Sequence, residues 1–231
     1  GSGALRDRLG TAHRGGHSRI RLSQAVVAIQ NVDVLRQFSI TVEPGSLVGL
    51  VGRNGAGKTS VMRTIMGHLA LREGTLHFGD VDLSTLASHE RAALGIGYMP
   101  EDRGLVPELT VEENICLPLW VSPSLRVSER LELVYSVLPE LVEMRTRKAL
   151  LLSGGQQKLV ALARALAVGT RLLLLDEPFE GVAPALSQRL SEVVGKMRGS
   201  GLSVLISQSD LNHSRHLLDT EIVIERGANG H

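Results

Sequence analysis

With 231 residues, 43% of them hydrophobic, the chain fills the upper range of one large domain and can bury a sizeable core. Its net charge of +1 provides no overall field that would draw it to nucleic acid or an anionic membrane surface. One cysteine, Cys116, rules out an internal disulfide, and no apolar run approaches the ~18 residues of a membrane span, so a soluble cytoplasmic protein without direct membrane insertion is expected.

In chain order, Gly1-Ser2-Gly3 lacks an initiator Met and reads as a cloning remnant. Residues 1–19 are rich in Gly, Arg and His with no apolar stretch behind the arginines, which predicts a flexible arm and no secretory signal. From Ile20 the pattern turns to short β-rich runs: Val26–Ile29, Phe38–Val42, and Leu47–Val51 after a Glu43-Pro-Gly-Ser turn. Lys58 to Gly67 predicts a helix with Val61, Met62, Ile65 and Met66 on one face and Gly67 as its stop. A strand at Thr75–Phe78 turns at Gly79-Asp80. Thr110-Val-Glu-Glu113 is a capping box, because the Thr hydroxyl and the Glu113 carboxylate can each satisfy an orphan backbone donor. Helical patterns separated by Pro118, Pro123 and Pro139 continue to about Leu151. The rest alternates: a helix to Val168, a strand Leu172–Leu175, a helix from Pro184 to about Arg198, and strands Leu202–Ile206 and Glu221–Ile224. Continuous apolar strands between helices imply a largely parallel sheet covered on both faces.

Three segments carry chemistry. Gly52-Arg-Asn54-Gly55-Ala56-Gly57-Lys58-Thr59-Ser60 follows an apolar strand and opens a helix, the context of a phosphate-binding loop. Its glycines let successive amides and the helix N-terminus point at a β-phosphate, Lys58 brings a charge to the β- and γ-phosphates, and the Thr59 hydroxyl can ligate Mg²⁺. Arg171-Leu-Leu-Leu-Leu175 then ends in Asp176 and Glu177, where α/β sheets place their ligand crevice. Asp176 suits Mg²⁺, and Glu177 suits the base that polarises an attacking water; the bland alternative is a helix N-cap with an acidic first turn. Between them lies Leu152-Ser153-Gly154-Gly155-Gln156, a hydroxyl and a glycine pair at a helix start, which is either an anion nest or a plain capped N-terminus.

These three segments, in this order, resemble the ATP-binding-cassette (ABC) ATPases. The resemblance spans about Val26 to Gly227. It implies an α/β fold: a P-loop NTPase core with a small antiparallel β portion and a helical subdomain inserted at about 108–151, all within one domain over 20–231. It also implies ATP and Mg²⁺ as ligands, with Thr59, Asp176 and Glu101 as metal-side residues. Ser153, Gly154, Gly155 and Gln156 would meet the ATP of an opposite subunit in a head-to-tail homodimer or heterodimer. Transmembrane permease subunits would be the partners, holding the chain at the inner face of the membrane.

The chain departs from the common family pattern in three places. No Phe, Tyr or Trp precedes Phe38, so the position of the adenine-stacking aromatic falls on Ile29 or a neighbour. Glu101 stands where Gln is commonest, and Gln208 stands where a switch histidine usually sits; Gln can hydrogen-bond a γ-phosphate but cannot take a proton. His213 and His216 lie farther on and read as surface histidines. Pro100-Glu101, Thr110-Val-Glu-Glu-Asn114, Glu180-Gly-Val-Ala-Pro184 and Gln208 resemble the branched-chain amino-acid importer branch, which makes solute import the expected function. Two other readings stay open: a regulatory module with weak hydrolysis, favoured by the missing aromatic, Gln208 and Ala183, and a soluble non-transport ABC ATPase. The chain stops soon after Glu225-Arg-Gly227, where such proteins usually add a strand and a helix.

Overall fold

The computed structural model describes residues 18–198, 200–210 and 215–231, so the expected arm, apart from its last two residues, and His213 lie outside the described residues. Ile20–Ile29 (β1) and Val32–Val42 (β2) form an antiparallel hairpin. Both are longer than the sequence runs suggested. Gln24 and Gln37, at φ 51° and 54°, sit at register shifts, so they bulge the strands without ending them. Gln30 and Asn31, both at positive φ, make the tight turn that matches strand twist. Glu73–Phe78 (β4) joins β1, and Val81–Asp82 (β5) joins β4, giving the order β2-β1-β4-β5.

The second sheet has six strands in the order β10-β9-β3-β8-β7-β6. Leu47–Val51 (β3), Ile96–Met99 (β6), Leu172–Asp176 (β7), Ser203–Gln208 (β8) and Thr220–Glu225 (β9) run parallel, and Ala228–Asn229 (β10) returns antiparallel on β9. Alternation along a central strand separates two cores, because successive side chains leave opposite faces. Leu172 and Leu174 join the core shared with the antiparallel sheet, where helix α1 (Lys58–Met66) lies. Leu173 and Leu175 join the core beneath α5 (Gly154–Val168) and α6 (Pro184–Met197). The sheet is therefore apolar on both faces, as its continuous Leu and Val runs require.

Strand β6, the two-residue strands β5 and β10, and the short helix α2 (Ser88–Ala93) have no counterpart among the predicted elements. Helix α3 (Val111–Trp120) starts at the Thr110–Glu113 capping box, with both reciprocal bonds present. Pro118 lies inside α3 and does not separate helices as expected; it falls within the last turn, where few backbone bonds remain to be lost. Helix α4 (Val127–Val137) and α3 contribute Ile115, Leu119, Leu133 and Val134 to the core beneath α5. The two ends of this stretch meet where Val111 N donates to Arg147 O (2.9 Å) and Ala149 N to Leu109 O (2.9 Å).

Candidate nucleotide site

Strand β3 delivers the chain into the glycine-rich turn, and α1 leaves it. Gly55 and Gly57 adopt φ 83° and 117°, conformations that cost an L-residue strain. A Cβ on Gly52 would lie 2.6 Å from the Ile224 carbonyl oxygen, so that position admits no side chain. Lys58 is buried and folds back over the loop, donating to the Gly52 carbonyl and lying 2.8 Å from Glu177 Oε1. No acidic residue occupies the first turn of α1, which leaves its amide end open to an anion.

The strand ends bring the other groups to this loop. Asp176 and Ser207 are in register across β7 and β8, and Val51 is paired with Gln208 across β3 and β8. Asp176 accepts from the Thr59 hydroxyl (2.8 Å) and the Ser207 hydroxyl (2.5 Å). Burial pushes its carboxyl above the usual range, against the downward pull of those two hydroxyls. The hydroxyl and carboxylate oxygens of Thr59 and Asp176 form an oxygen donor pair of the kind a small hard cation takes together with substrate phosphates. Glu177 sits at φ 49°, a left-handed strain of ~1–3 kcal/mol. Its amide is held by Ser207 through the backbone oxygen (3.1 Å) and the hydroxyl (3.0 Å). Among the described residues, Glu177 Oε2 and both side-chain amide atoms of Gln208 are buried without a hydrogen-bond partner, beside a cavity of about 150 Å³ lined also by Phe179, Glu180, Ser209 and Asp210. Buried polar atoms are nearly always paired, so these three mark a place for a polar ligand.

A larger cleft of about 610 Å³ opens over the loop and is lined by Asn54, Gly55, Gly57, Lys58, Thr59, Ser60, Glu101 and Glu177. Its far wall is Val32, Asp33, Val34 and Arg36 of β2 with Arg226 and Gly227 of the C-terminal turn. Ile29 does not line that wall, and the neighbouring aliphatic residues Val32 and Val34, after the β1–β2 turn, do. Gly227 is stitched in by its amide donating to Ala56 O (2.8 Å) and its carbonyl accepting from Arg36 N (2.7 Å). Gly52 and Ala56 thus act from behind the loop and do not line the cleft. Glu101 is exposed at the rim, its carboxyl raised by desolvation and then by Glu177 and Asp176. Ser153, Gly154, Gly155 and Gln156 are absent from the cleft lining. They form the exposed-to-half-exposed start of α5, closed by a Ser153–Gln156 capping box. Ser207 and Ser209 are site residues that none of the three sequence segments contains. Ser209 Oγ lies 3.0 Å from both Glu177 Oε1 and Asn54 Oδ1. Their signal is a polar Ser-Gln-Ser ending an apolar parallel strand, where such sheets hold ligands.

The profile of the family described as ABC transporter matches residues 35–180. The chain belongs to the ABC transporter family. As an ABC ATPase it binds and hydrolyses ATP. The lipopolysaccharide export system ATP-binding protein LptB of Escherichia coli (strain K12) is 33% identical over 196 residues, covering 84% of this chain and 81% of that protein. The high-affinity branched-chain amino acid transport ATP-binding protein BraG of Pseudomonas aeruginosa is 32% identical over 196 residues, covering 85% and 84%. Among solved structures, the ADP conformation of MJ1267, an ATP-binding cassette of an ABC transporter, superposes at TM-score 0.76 with 29% identity over 91% of this chain and 89% of that one. The dimeric cassette MJ0796 bound to ADP and Pi reaches TM-score 0.82 at 22% identity, covering 92% and 97%, which supports the shared fold. Among the described residues, no helix of this ABC ATPase is long and apolar enough to cross a membrane.

Proposed function

We propose that this ABC ATPase powers solute import through transmembrane permease subunits, as two copies or with a related subunit closing head to tail around two nucleotides. The observation that carries the proposal is the convergence of Lys58, Thr59, Asp176, Glu177 and Gln208 at the carboxyl end of the parallel strands. In this reading the amides of Asn54–Ser60 cradle the phosphates, and Lys58 exchanges the Glu177 carboxylate for phosphate oxygens. Thr59, Asp176 and Glu101 would hold Mg²⁺, which when bound offsets phosphate charge. Released from Lys58, Glu177 takes the proton of the attacking water, and the Gln208 amide orients that water or a γ-oxygen. Ser153, Gly154, Gly155 and Gln156 would serve a second subunit, a reading supported by their absence from the lining of their own cleft.

Residues 108–151 are proposed as one inserted helical unit whose meeting ends brace it against the core. The exposed apolar side chains of Val106, just before this unit, and of Trp120 and Val121, at the end of α3, are the proposed permease contact, at the cytoplasmic face of the membrane. Branched-chain amino acids are the proposed cargo, supported by Pro100-Glu101, Thr110–Asn114 and the BraG similarity. A second reading, export of a lipid-linked solute, is favoured by the LptB similarity. Proteoliposomes carrying this subunit and its genetically neighbouring permease should accumulate labelled leucine in an ATP-dependent way. Failure of uptake with retained ATPase activity would reject the cargo and leave the catalytic reading standing.

A further inference from the structure

Lys158 is a buried cation that the site described above does not use. It lies in the second turn of α5 and is 4% exposed. Among the described residues it has no carboxylate in an ion pair. Its ammonium is spent on three main-chain carbonyls: Glu177 (3.2 Å), Pro178 (3.2 Å) and Glu180 (2.6 Å). Those carbonyls belong to the turn that carries Glu177 in its left-handed conformation, and the Glu180 amide closes the turn on Glu177 O at 3.2 Å. A buried ammonium lacking its counterion is an expensive way to cap a turn. A three-donor head on a long stem is nevertheless well suited to gather three oxygens that diverge from one strained loop.

We infer that Lys158 is a positioning residue for Glu177: it clamps the turn after β7 from the first helical turns of α5, so that the carboxylate is held in place once Lys58 releases it. The inference rests on the proposed role of Glu177 as base. It also gives the Ser153–Gln156 end of α5 a direct mechanical connection to the base of the same chain, because the amine lies only two residues beyond Gln156. A displacement near 1 Å at a reacting group costs on the order of 10²-fold in rate, which sets the scale expected for losing the clamp.

The test compares Lys158→Met and Lys158→Arg in the parent and in a Glu177→Gln background, reading kcat and KM for ATP, fluorescent-nucleotide affinity and the thermal midpoint. Lys158→Met should lower kcat by roughly 10- to 100-fold with nucleotide affinity within about twofold of the parent, and Lys158→Arg should restore most of the turnover. In the Glu177→Gln background Lys158→Met should lower the residual rate no further, because a residue acting through Glu177 has nothing left to position. Should Lys158→Met fold poorly, Lys158→Gln, which keeps two N–H donors, takes its place in the same comparison. Unchanged kcat, equal losses of affinity and turnover, or losses that multiply in the double variant would each overturn the inference. If Glu177→Gln alone keeps the parental rate, the base assignment falls, and the clamp falls with it.

Discussion

Glu177 Oε1 and Lys58 Nζ lie 2.8 Å apart, each with its side chain 4% exposed, so the proposed base and the phosphate-binding lysine form a buried ion pair. A buried pair of this kind is worth little over well-packed apolar groups, but breaking it from one side strands a charge. Lys58→Met should therefore destabilise the protein by about 3–5 kcal/mol in urea unfolding without added nucleotide, as well as abolish ATP binding. Lys58→Met/Glu177→Gln should recover much of that stability without recovering binding. A double variant no more stable than Lys58→Met would show that the pair does not set the stability measured without nucleotide.

Turnover should rest on Glu177. Glu177→Gln removes a positioned base, for which a loss of at least ~10²-fold in kcat is expected with ATP affinity retained. The variant should also accumulate an ATP-bound dimer resolved by size-exclusion chromatography. Parental turnover would remove Glu177 from the mechanism.

The cleft wall facing the phosphate loop is Val32 and Val34 with Asp33 and Arg36, and the nearest upstream aromatic, Phe38, is fully buried in the core. Among the described residues that line the cleft none carries a ring, and base–aromatic stacking is worth ~1–3 kcal/mol where it occurs. ATP and GTP should accordingly bind within about tenfold of each other, or ~1.4 kcal/mol. A competition titration with strong ATP preference would show that another group grips the adenine.

Asp176 links site and stability through pH. Burial raises its folded-state carboxyl above the unfolded value, so the folded state holds the proton longer. Its favourable contribution is complete below the unfolded pKa of about 3.9 and is lost as pH rises through the raised folded value. Asp176→Asn should then be more stable than the parent at neutral pH without nucleotide, with the difference vanishing toward acid. The same variant should lose Mg²⁺-dependent nucleotide binding. A variant less stable than the parent at pH 7 would mean that the Thr59 and Ser207 hydrogen bonds outweigh the desolvation.

Permease contact should be readable at exposed groups only. Val106 and Trp120 are exposed, whereas Leu119 is buried in the core and Leu105 packs against it, so only the first two are free to meet a partner. Val106→Ser with Trp120→Ser should lower substrate-stimulated ATPase activity in the reconstituted transporter and leave basal activity unchanged. Equal loss of both would assign the pair to folding.

What the amino-acid order determined by itself is what closes within a few residues. The glycine turn between an apolar strand and Lys58, the Thr110–Glu113 and Ser153–Gln156 capping boxes, and the leucine run before Asp176 all follow from local hydrogen bonding and periodicity. The tertiary structure decided what depends on strand order. It continued β8 through Ser207 and Gln208, because pairing with β3 and β7 satisfies their backbone whatever their side chains prefer. It brought Ser209 to Asn54 and Glu177, and it made β2 and the turn at Gly227 the wall of the cleft. It also kept Pro118 inside α3, where packing of Ile115 and Leu119 outweighs a missing donor near the helix end. Local bonds are specified by neighbours in sequence. The meeting of Lys58 with Glu177 is specified only when a parallel sheet, buried on both faces, sets β3, β8 and β7 side by side.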